Sequence, residues 1–220
     1  MTRLYIVRHC ETMGNHLKVF QGNSDFEVSP IGEKQIAALG ERFKNVDVDV
    51  IYSSPLPRAV KTAAAIAQPK GLEIITHNDL REIHGGIIEG KHLSDIFINH
   101  RELEDTWNNS PQDFAPENGE SMRSVYARVS ACVDEILRKN KDKNIVVVSH
   151  GGAIRNLVCY LMYGDIERLN DVPWCDNTAV ALVEFDDAFK PNFRYKNCTS
   201  HLSEELLPVE NRISAWTEDN

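Results

Sequence analysis

The chain has 220 residues, with 33 acidic against 24 basic side chains, and its formal net charge is −9. This length suits one large domain, or one domain with an insertion. A hydrophobic fraction of 42% and a charged fraction of 26% exclude wholesale disorder. The negative charge argues against a protein that binds duplex nucleic acid or a membrane surface, and no apolar run reaches the roughly 20 residues of a membrane helix.

The number and spacing of the cysteines indicate the cellular compartment of the protein. The five cysteines are scattered and form no C-x-x-C pair, so neither a disulfide framework nor a zinc knuckle is indicated. The N-terminal apolar stretch is shorter than that of a signal peptide and ends in Arg8 and His9. We therefore expect a cytoplasmic protein with reduced cysteines.

Short runs rich in β-branched residues predict five strands. Amphipathic segments between them predict helices, of which three begin at the Ser29–Pro30 start signal, near Ser121 and directly after Gly151–Gly152. Strands that alternate with helices form βαβ units, so we predict a three-layer α/β/α sandwich with a mostly parallel sheet. The predicted strands are Leu4–Val7, Val50–Ser53, Glu73–Thr76, Ile145–Ser149 and Thr178–Glu184.

A long segment before the second half of the chain interrupts this alternation. It is rich in Gly, His and Asn, and carries Phe97, Trp107 and Phe114 in a weakly helical pattern. Such segments are usually lids or binding loops, and we expect these aromatic residues mainly to pack the core of the lid itself. The predicted organisation is a single domain over residues 1–220, a lid insertion at about 77–119 over the functional edge of the sheet, and an acidic tail at about 201–220 that docks or frays.

Chemically active side chains follow several predicted strands at the same edge of the sheet. Ligands of open parallel sheets bind outside the carboxyl ends of the strands. Each residue alone has an ordinary structural explanation, so the argument for function is their convergence on one edge. The residues are Arg8 and His9 after the first strand, Arg58 behind the second, Glu82 after the third and His150 after the fourth.

These residue types suit the transfer of a phosphoryl group. Two arginines beside a helix N-terminus can bind phosphate through bidentate hydrogen bonds and the helix dipole. A neutral imidazole can attack phosphorus and form a phosphoenzyme, while a carboxylic acid protonates the departing alkoxide.

Other known arrangements of catalytic or metal-binding residues fit the sequence less well. The His9–Cys10 pair is typical of thiol phosphatases, but the glycine and arginine that their loop requires are missing. A metal site from His9, His150 and Glu82 is conceivable, although the neighbouring arginines would repel a divalent cation. The common nucleotide-binding, serine-hydrolase and zinc-protease motifs are absent.

Between residue 4 and about residue 155 the chain carries the segments YIVRHCETMGN, SSPLPRAVKTA, LREIHGGIIEG, PENGES and VVVSHGGAIR. In this order they resemble the motifs of the histidine phosphatase superfamily, which includes the cofactor-dependent phosphoglycerate mutases. The resemblance implies that His9 is a phosphorylated nucleophile, Glu82 the proton donor and Glu89 a structural residue. Cys10 stands where the family usually has glycine. The other matched residues are Arg8, Arg58 and His150 in the phosphate pocket, and Asn15, Gln21, Gly22 and Gly151 in contact with substrate.

Within the family, the first loop favours a phosphatase over a mutase. It has Phe20–Gln21–Gly22–Asn23 where mutases carry an aromatic R-F-x-G-W pattern. We predict a metal-independent phosphatase that acts on a small phosphorylated metabolite and needs no cofactor. The alternatives are a mutase that uses 2,3-bisphosphoglycerate and a non-catalytic phospho-ligand binder, which an intact nucleophile and acid make less suitable. The sequence leaves open the identity of the ester and the oligomeric state.

Overall fold

A computed structural model describes residues 1–207. Its strands are β1 (Thr2–Arg8), β2 (Val50–Ser53), β3 (Ile74–Thr76), β4 (Asn144–Ser149), β5 (Val180–Phe185) and β6 (Pro191–Cys198). They form one sheet in the order β3-β2-β4-β1-β5-β6. Strands β1 to β4 are parallel, and β5 and β6 add an antiparallel edge.

The α-helices connect the strands and cover both faces of the sheet. They are α1 (Met13–His16), α2 (Pro30–Phe43), α3 (Pro57–Ala67), α4 (Leu93–Asn99), α5 (Arg101–Asn109), α6 (Met122–Lys139) and α7 (Gly151–Tyr163). Within residues 1–207, no helix combines the length and the apolar composition needed to cross a membrane.

Strand β4 shows how the three layers arise. Its side chains alternate, so that Ile145 and Val147 join the core formed with α6 and α7, while Val146 and Val148 join the core formed with α2 and α3. A strand that is buried on both faces requires a continuous apolar run, which the sequence IVVV supplies. The predicted α/β/α sandwich with a mostly parallel sheet is therefore confirmed.

Two local features differ from the prediction. Strand β6 was not predicted, because only Phe193 and Tyr195 alternate with exposed Asn192 and Arg194, and an edge strand of this kind carries a weak hydrophobic signal. The start of α2 at Pro30 is confirmed, but α7 begins at Gly151 itself and not after the glycine pair.

The segment predicted as a lid contains α4 and α5 and is tied to the first loop of the chain. The backbone N–H of Phe20 donates to the carbonyl of Lys91, and the N–H of Gly90 donates back to the carbonyl of Phe20. The N–H of Leu93 donates to the carbonyl of Lys18, and each of the three distances is 2.9 Å.

In the predicted tail, the carbonyl of Leu206 accepts a hydrogen bond from the side chain of buried Gln35 at 2.9 Å. Residues 208–220, including Trp216, lie outside the described residues.

Candidate active site

The sheet register explains why two histidines meet. Strands β1 and β4 are parallel neighbours, with Arg8 opposite Ser149, so the next residue of each strand leaves the sheet at the same edge. These residues are His9 and His150, and the centroids of their rings lie 5.1 Å apart. Strand β2 flanks β4 on its other side and brings Ser54 to the same edge.

His9 is arranged as a neutral base with one free ring nitrogen. Its side chain is buried, and Nδ1 lies 2.6 Å from the carbonyl oxygen of Cys10. A carbonyl can only accept, so Nδ1 carries the ring proton and Nε2 keeps its lone pair. Burial, followed by the charges of Arg58 and Arg8, lowers the pKa of His9 well below 6.5. The imidazole is therefore neutral and not a cation at neutral pH, and Nε2 is free to act as a nucleophile.

His150 is fully buried beneath the site and keeps an unused donor. Its Nε2 lies 2.7 Å from the hydroxyl of Ser54, and that hydroxyl accepts a hydrogen bond from the N–H of Leu56. In the tautomer in which Ser54 donates its own proton to Nε2, the ring proton lies on Nδ1. This nitrogen has no hydrogen-bond partner, and burial lowers the pKa of His150 well below 6.5.

Arg58 enters the site from the first turn of α3, directly after the proline that begins the helix. It is 2% exposed, and its Nη1 and Nη2 donate to the carbonyls of Ser24 at 2.9 Å and Gly22 at 2.7 Å. These bonds hold the first loop against the sheet edge. The Nε of Arg58 is buried without a partner.

Arg8 lies on the opposite side of the nucleophile, at the end of β1. One Nη donates to the carbonyl of Cys175, and its Nε is likewise buried without a partner. Buried N–H groups are nearly always paired in native proteins. Three unpaired donors, on Arg8, Arg58 and His150, therefore mark a place where an anion with several acceptor oxygens fits.

Glu82 occupies the N-terminus of α7. Its Oε2 accepts a hydrogen bond from the N–H of Gly152 at 2.9 Å, and its Oε1 accepts from Ala153 at 3.1 Å and Ile83 at 3.0 Å. The amides of Gly152 and Ala153 therefore donate to the Glu82 carboxyl group, and binding of the phosphoryl group at this helix N-terminus stays a prediction.

These groups surround a pocket of about 190 Å³. All residues predicted for the site line it except His150, which lies buried below. The amide oxygens of Asn15 and Gln21 both lie within hydrogen-bond distance of the Thr12 hydroxyl, at 3.0 and 2.7 Å. The lining residues of the predicted set are Arg8, His9, Asn15, Gln21, Gly22, Arg58, Glu82 and Gly151.

Glu89 anchors the loop that holds Arg58. Its carboxylate accepts hydrogen bonds from the N–H groups of Asn23 and Gly85, each at 2.9 Å. Gly22 has a φ of +52°, and a Cβ there would lie 2.2 Å from a Glu89 oxygen. Glycine is thus required at this position by both conformation and space.

Cys10 fits without distorting the loop. It is completely buried, its backbone φ is not positive, and its N–H donates to the hydroxyl of Thr62 at 3.0 Å. Burial raises the pKa of its thiol to about 11, so the sulfur stays protonated and is a poor nucleophile at neutral pH.

Sequence reasoning missed the aromatic side of the pocket. Phe114 lies in the core and Phe97 and Trp107 pack against it, but Trp107 also lines the pocket together with Trp174, which no motif indicated. Their rings stack with centroids 5.1 Å apart. Among residues 1–207, no group of three His, Cys, Asp or Glu side chains is arranged to hold a metal ion.

Comparisons with known proteins agree with this geometry. The family model of the histidine phosphatase superfamily (branch 1) matches residues 4–198. The chain is 33% identical over 217 residues to phosphoserine phosphatase 1 of Hydrogenobacter thermophilus, which covers 97% of this chain and 100% of that protein. It is 36% identical over 157 residues to phosphoglycerate mutase-like protein 4 of Arabidopsis thaliana, covering 70% and 68%.

The fold has a solved counterpart at similar length. The structure of YhfR from Bacillus stearothermophilus superposes with a TM-score of 0.86 at 28% sequence identity, and the match covers 91% of this chain and 99% of that one. The family match extends from the first strand of the sheet to the last. The chain therefore belongs to the histidine phosphatase superfamily, branch 1.

Proposed function

We propose that this protein is a phosphatase that hydrolyses a small phosphomonoester through a phosphohistidine on His9. The observation that carries the proposal is the set of unpaired N–H donors on Arg8, Arg58 and His150 beside a neutral His9. A transferring phosphoryl group has three equatorial oxygens that need stabilisation. The number and kind of donors suit that group.

The first step splits the ester. Nε2 of His9 attacks phosphorus, so that a P–N bond forms while the bond between phosphorus and the alcohol oxygen breaks. Arg8 and Arg58 stabilise the charge on the equatorial oxygens. Glu82 gives a proton to the departing oxygen, which leaves as a neutral alcohol. Oε2 accepts a single backbone bond, from Gly152, and so retains a lone pair for this proton.

The second step returns the enzyme to its starting state. Water attacks the phosphohistidine while the Glu82 carboxylate accepts one of its protons. The P–N bond breaks, inorganic phosphate leaves, and His9 is again neutral with a free Nε2. Glu82 is protonated once more and ready for the next ester.

The proposal assigns supporting roles to the rest of the predicted set. Asn15 and Gln21 present their amide groups to the substrate, Gly151 lines the pocket beside the guanidinium of Arg8, and the carbonyl of Gly22 holds Arg58. We further propose that the chain forms a single domain whose lid, about 77–119, covers this site.

The positive charge that a metal supplies in other phosphoryl-transfer enzymes comes here from two guanidiniums. The proposal therefore includes no metal and no organic cofactor. All five cysteines are free, which suits the reducing cytoplasm that we propose as the compartment.

A metal-free assay of phosphate release from a panel of esters, with and without 2,3-bisphosphoglycerate, tests this function. We expect release of inorganic phosphate at a rate that the bisphosphate does not raise. Isomerisation of phosphoglycerates that depends on the bisphosphate would establish a mutase instead. Tight binding of esters with no turnover would indicate a phospho-ligand binder.

A further inference from the structure

The pocket has an apolar wall that the phosphoryl chemistry does not use. Its aromatic members come from separate parts of the chain and contact one another: Phe20 and Trp107 have centroids 6.0 Å apart, and Trp107 stacks on Trp174 with an interplanar angle of 20°. Phe114 backs this cluster, 4.9 Å from Trp107. The apolar side chains that line the pocket are Val19, Phe20, Ile83, Leu93, Trp107, Met122 and Trp174.

The charged groups of the pocket are already committed to the phosphoryl group. Among the described residues that line it, the ionisable ones are Arg8, His9, Arg58 and Glu82. The amide side chains that line it, those of Asn15 and Gln21, are neutral. An alcohol that carried its own carboxylate or ammonium group would lose water here without an opposite charge to pair with, which is costly.

We propose that the substrate is the phosphomonoester of an apolar alcohol, aromatic or aliphatic, that packs against this wall. The inference rests on the proposed phosphatase function and deepens it by naming the class of leaving group. Trp107 then becomes a specificity-determining residue, because it belongs to the lid and contacts both Phe20 and Trp174. One hydrophobic group in a pocket changes discrimination between substrates by about 10–200-fold.

The test compares benzyl phosphate, hexyl phosphate, methyl phosphate and O-phosphoserine on the wild-type enzyme. We expect kcat/KM for benzyl and hexyl phosphate to exceed that for phosphoserine at least about 10-fold. An equal or higher value for phosphoserine would overturn the inference while leaving the phosphatase intact. No release from any ester, nitrophenyl phosphate included, would overturn the proposed function and this inference with it.

A pair of lid variants tests whether Trp107 is responsible for the discrimination between substrates. Trp107→Ala should lower the ratio of kcat/KM for benzyl phosphate to that for methyl phosphate by about 10-fold. Phe97→Ala is the matched control, since Phe97 is an aromatic residue of the same lid that packs against the core and does not line the pocket. Its ratio should equal that of the wild type. An unchanged ratio in Trp107→Ala, or the same fall in both variants, would contradict the assignment.

A separate observation concerns the segment that carries Glu82. Arg128 of α6 donates hydrogen bonds to three backbone carbonyls of this segment. They belong to Asp79 at 2.6 Å, Arg81 at 2.8 Å and Glu82 at 3.2 Å. Its Nε and Nη2 also form a two-pronged ion pair with Glu120, at 2.7 and 2.8 Å. The side chain is only 17% exposed.

We infer that Arg128 is a positioning residue that holds Glu82 at the pocket. This second inference also rests on the proposed role of Glu82 as proton donor. An alkyl ester needs that proton, whereas nitrophenolate leaves readily without it. Displacement of Glu82 should therefore slow the hydrolysis of alkyl esters selectively. A general loss of structure should slow the hydrolysis of alkyl esters and of nitrophenyl phosphate equally.

Arg128→Met should lower kcat for an alkyl phosphate by about 10-fold and for nitrophenyl phosphate by less than about 3-fold, with KM little changed. Arg128→Lys retains a cation and should recover part of the lost rate, and it carries the test if the methionine variant does not fold. Glu120→Gln, which keeps the three carbonyl contacts, is the matched control and should behave as the wild type. Equal slowing of both substrates in the Arg128 variants would overturn the inference.

Discussion

The carboxylate of Glu82 and the backbone N–H of Gly152 are joined by a hydrogen bond of 2.9 Å, across 70 residues of sequence. One side chain thereby caps α7 and faces the pocket that contains His9. The cap fixes the carboxylate against a rigid helix, which favours an accurate position for proton transfer. Because of this cap, we expect variants of Glu82 to change stability as well as the proposed chemistry.

Glu82→Gln should therefore separate two classes of ester. We expect turnover of alkyl phosphates to fall by about 10²–10⁴-fold and that of nitrophenyl phosphate to fall far less. The amide offers one acceptor oxygen for the two helix N–H groups, so thermal unfolding of the variant is measured alongside. Equal loss on both esters would mean that Glu82 is structural. His84, the next candidate acid, is exposed, with its Nε2 3.8 Å from a Glu89 oxygen.

Cys10→Ser should retain most of the activity. The thiol is buried and its pKa is raised to about 11, so it does not supply a thiolate at neutral pH. Serine preserves the backbone and nearly the volume, and the rate on nitrophenyl phosphate is the readout. If the folded variant were inactive, the cysteine mechanism would have to be reconsidered.

Chelation of metals should leave the rate unchanged. Two guanidiniums supply the positive charge at the site, and vanadate, which mimics five-coordinate phosphorus, should inhibit at the same pocket. The measurement is phosphate release in EDTA, with vanadate titrated in a parallel series. Activity that disappears in EDTA and returns with added Mg²⁺ would contradict this account.

The buried histidines predict how stability depends on pH. The pKa values of His9 and His150 lie well below 6.5 in the folded protein, and near 6.5 in the unfolded chain. Above that pH both states are neutral and stability is unaffected. As pH falls below about 6.5, only the unfolded state gains protons, so the free energy of unfolding decreases by up to ~1.4 kcal/mol per pH unit for each histidine.

Urea unfolding at pH 7.5 and pH 5.5 measures this effect. The wild type should lose more stability between the two pH values than His9→Gln, which lacks one of the titrating groups. Both proteins share all other titrating residues, and His9 also helps to lower the pKa of His150, so the difference reports His9 together with its effect on that neighbour. The same loss in both proteins would show that His9 is not held neutral by the fold.

Much of the site can be predicted from the sequence, because its residues directly follow strands that short stretches of sequence identify. The parallel register of β1 and β4 places Arg8 opposite Ser149, so the residues that follow both strands must meet. Short continuous apolar runs identify such strands, and the rule that ligands bind at their carboxyl ends then brings together His9 and His150. Cys10, despite its unusual position, changes none of this.

Features that depend on distant pairing could not be predicted. The hydrogen bond from Gly152 to Glu82 requires knowledge of where the chain lies after β3, and no local pattern encodes it. Trp174 belongs to no motif, and its stacking on Trp107 brings together residues from separate loops. The edge strand β6, with exposed Arg194, was missed for another reason, because its hydrophobic alternation is weak.

Rapid quenching of the enzyme during turnover of a ³²P-labelled ester tests the central claim most directly. The account predicts a label on the protein that is lost in acid, survives alkali, and maps to His9, because a P–N bond has this stability pattern. His9→Ala should carry no label and release no phosphate. An acid-stable label, or full activity in His9→Ala, would contradict the account.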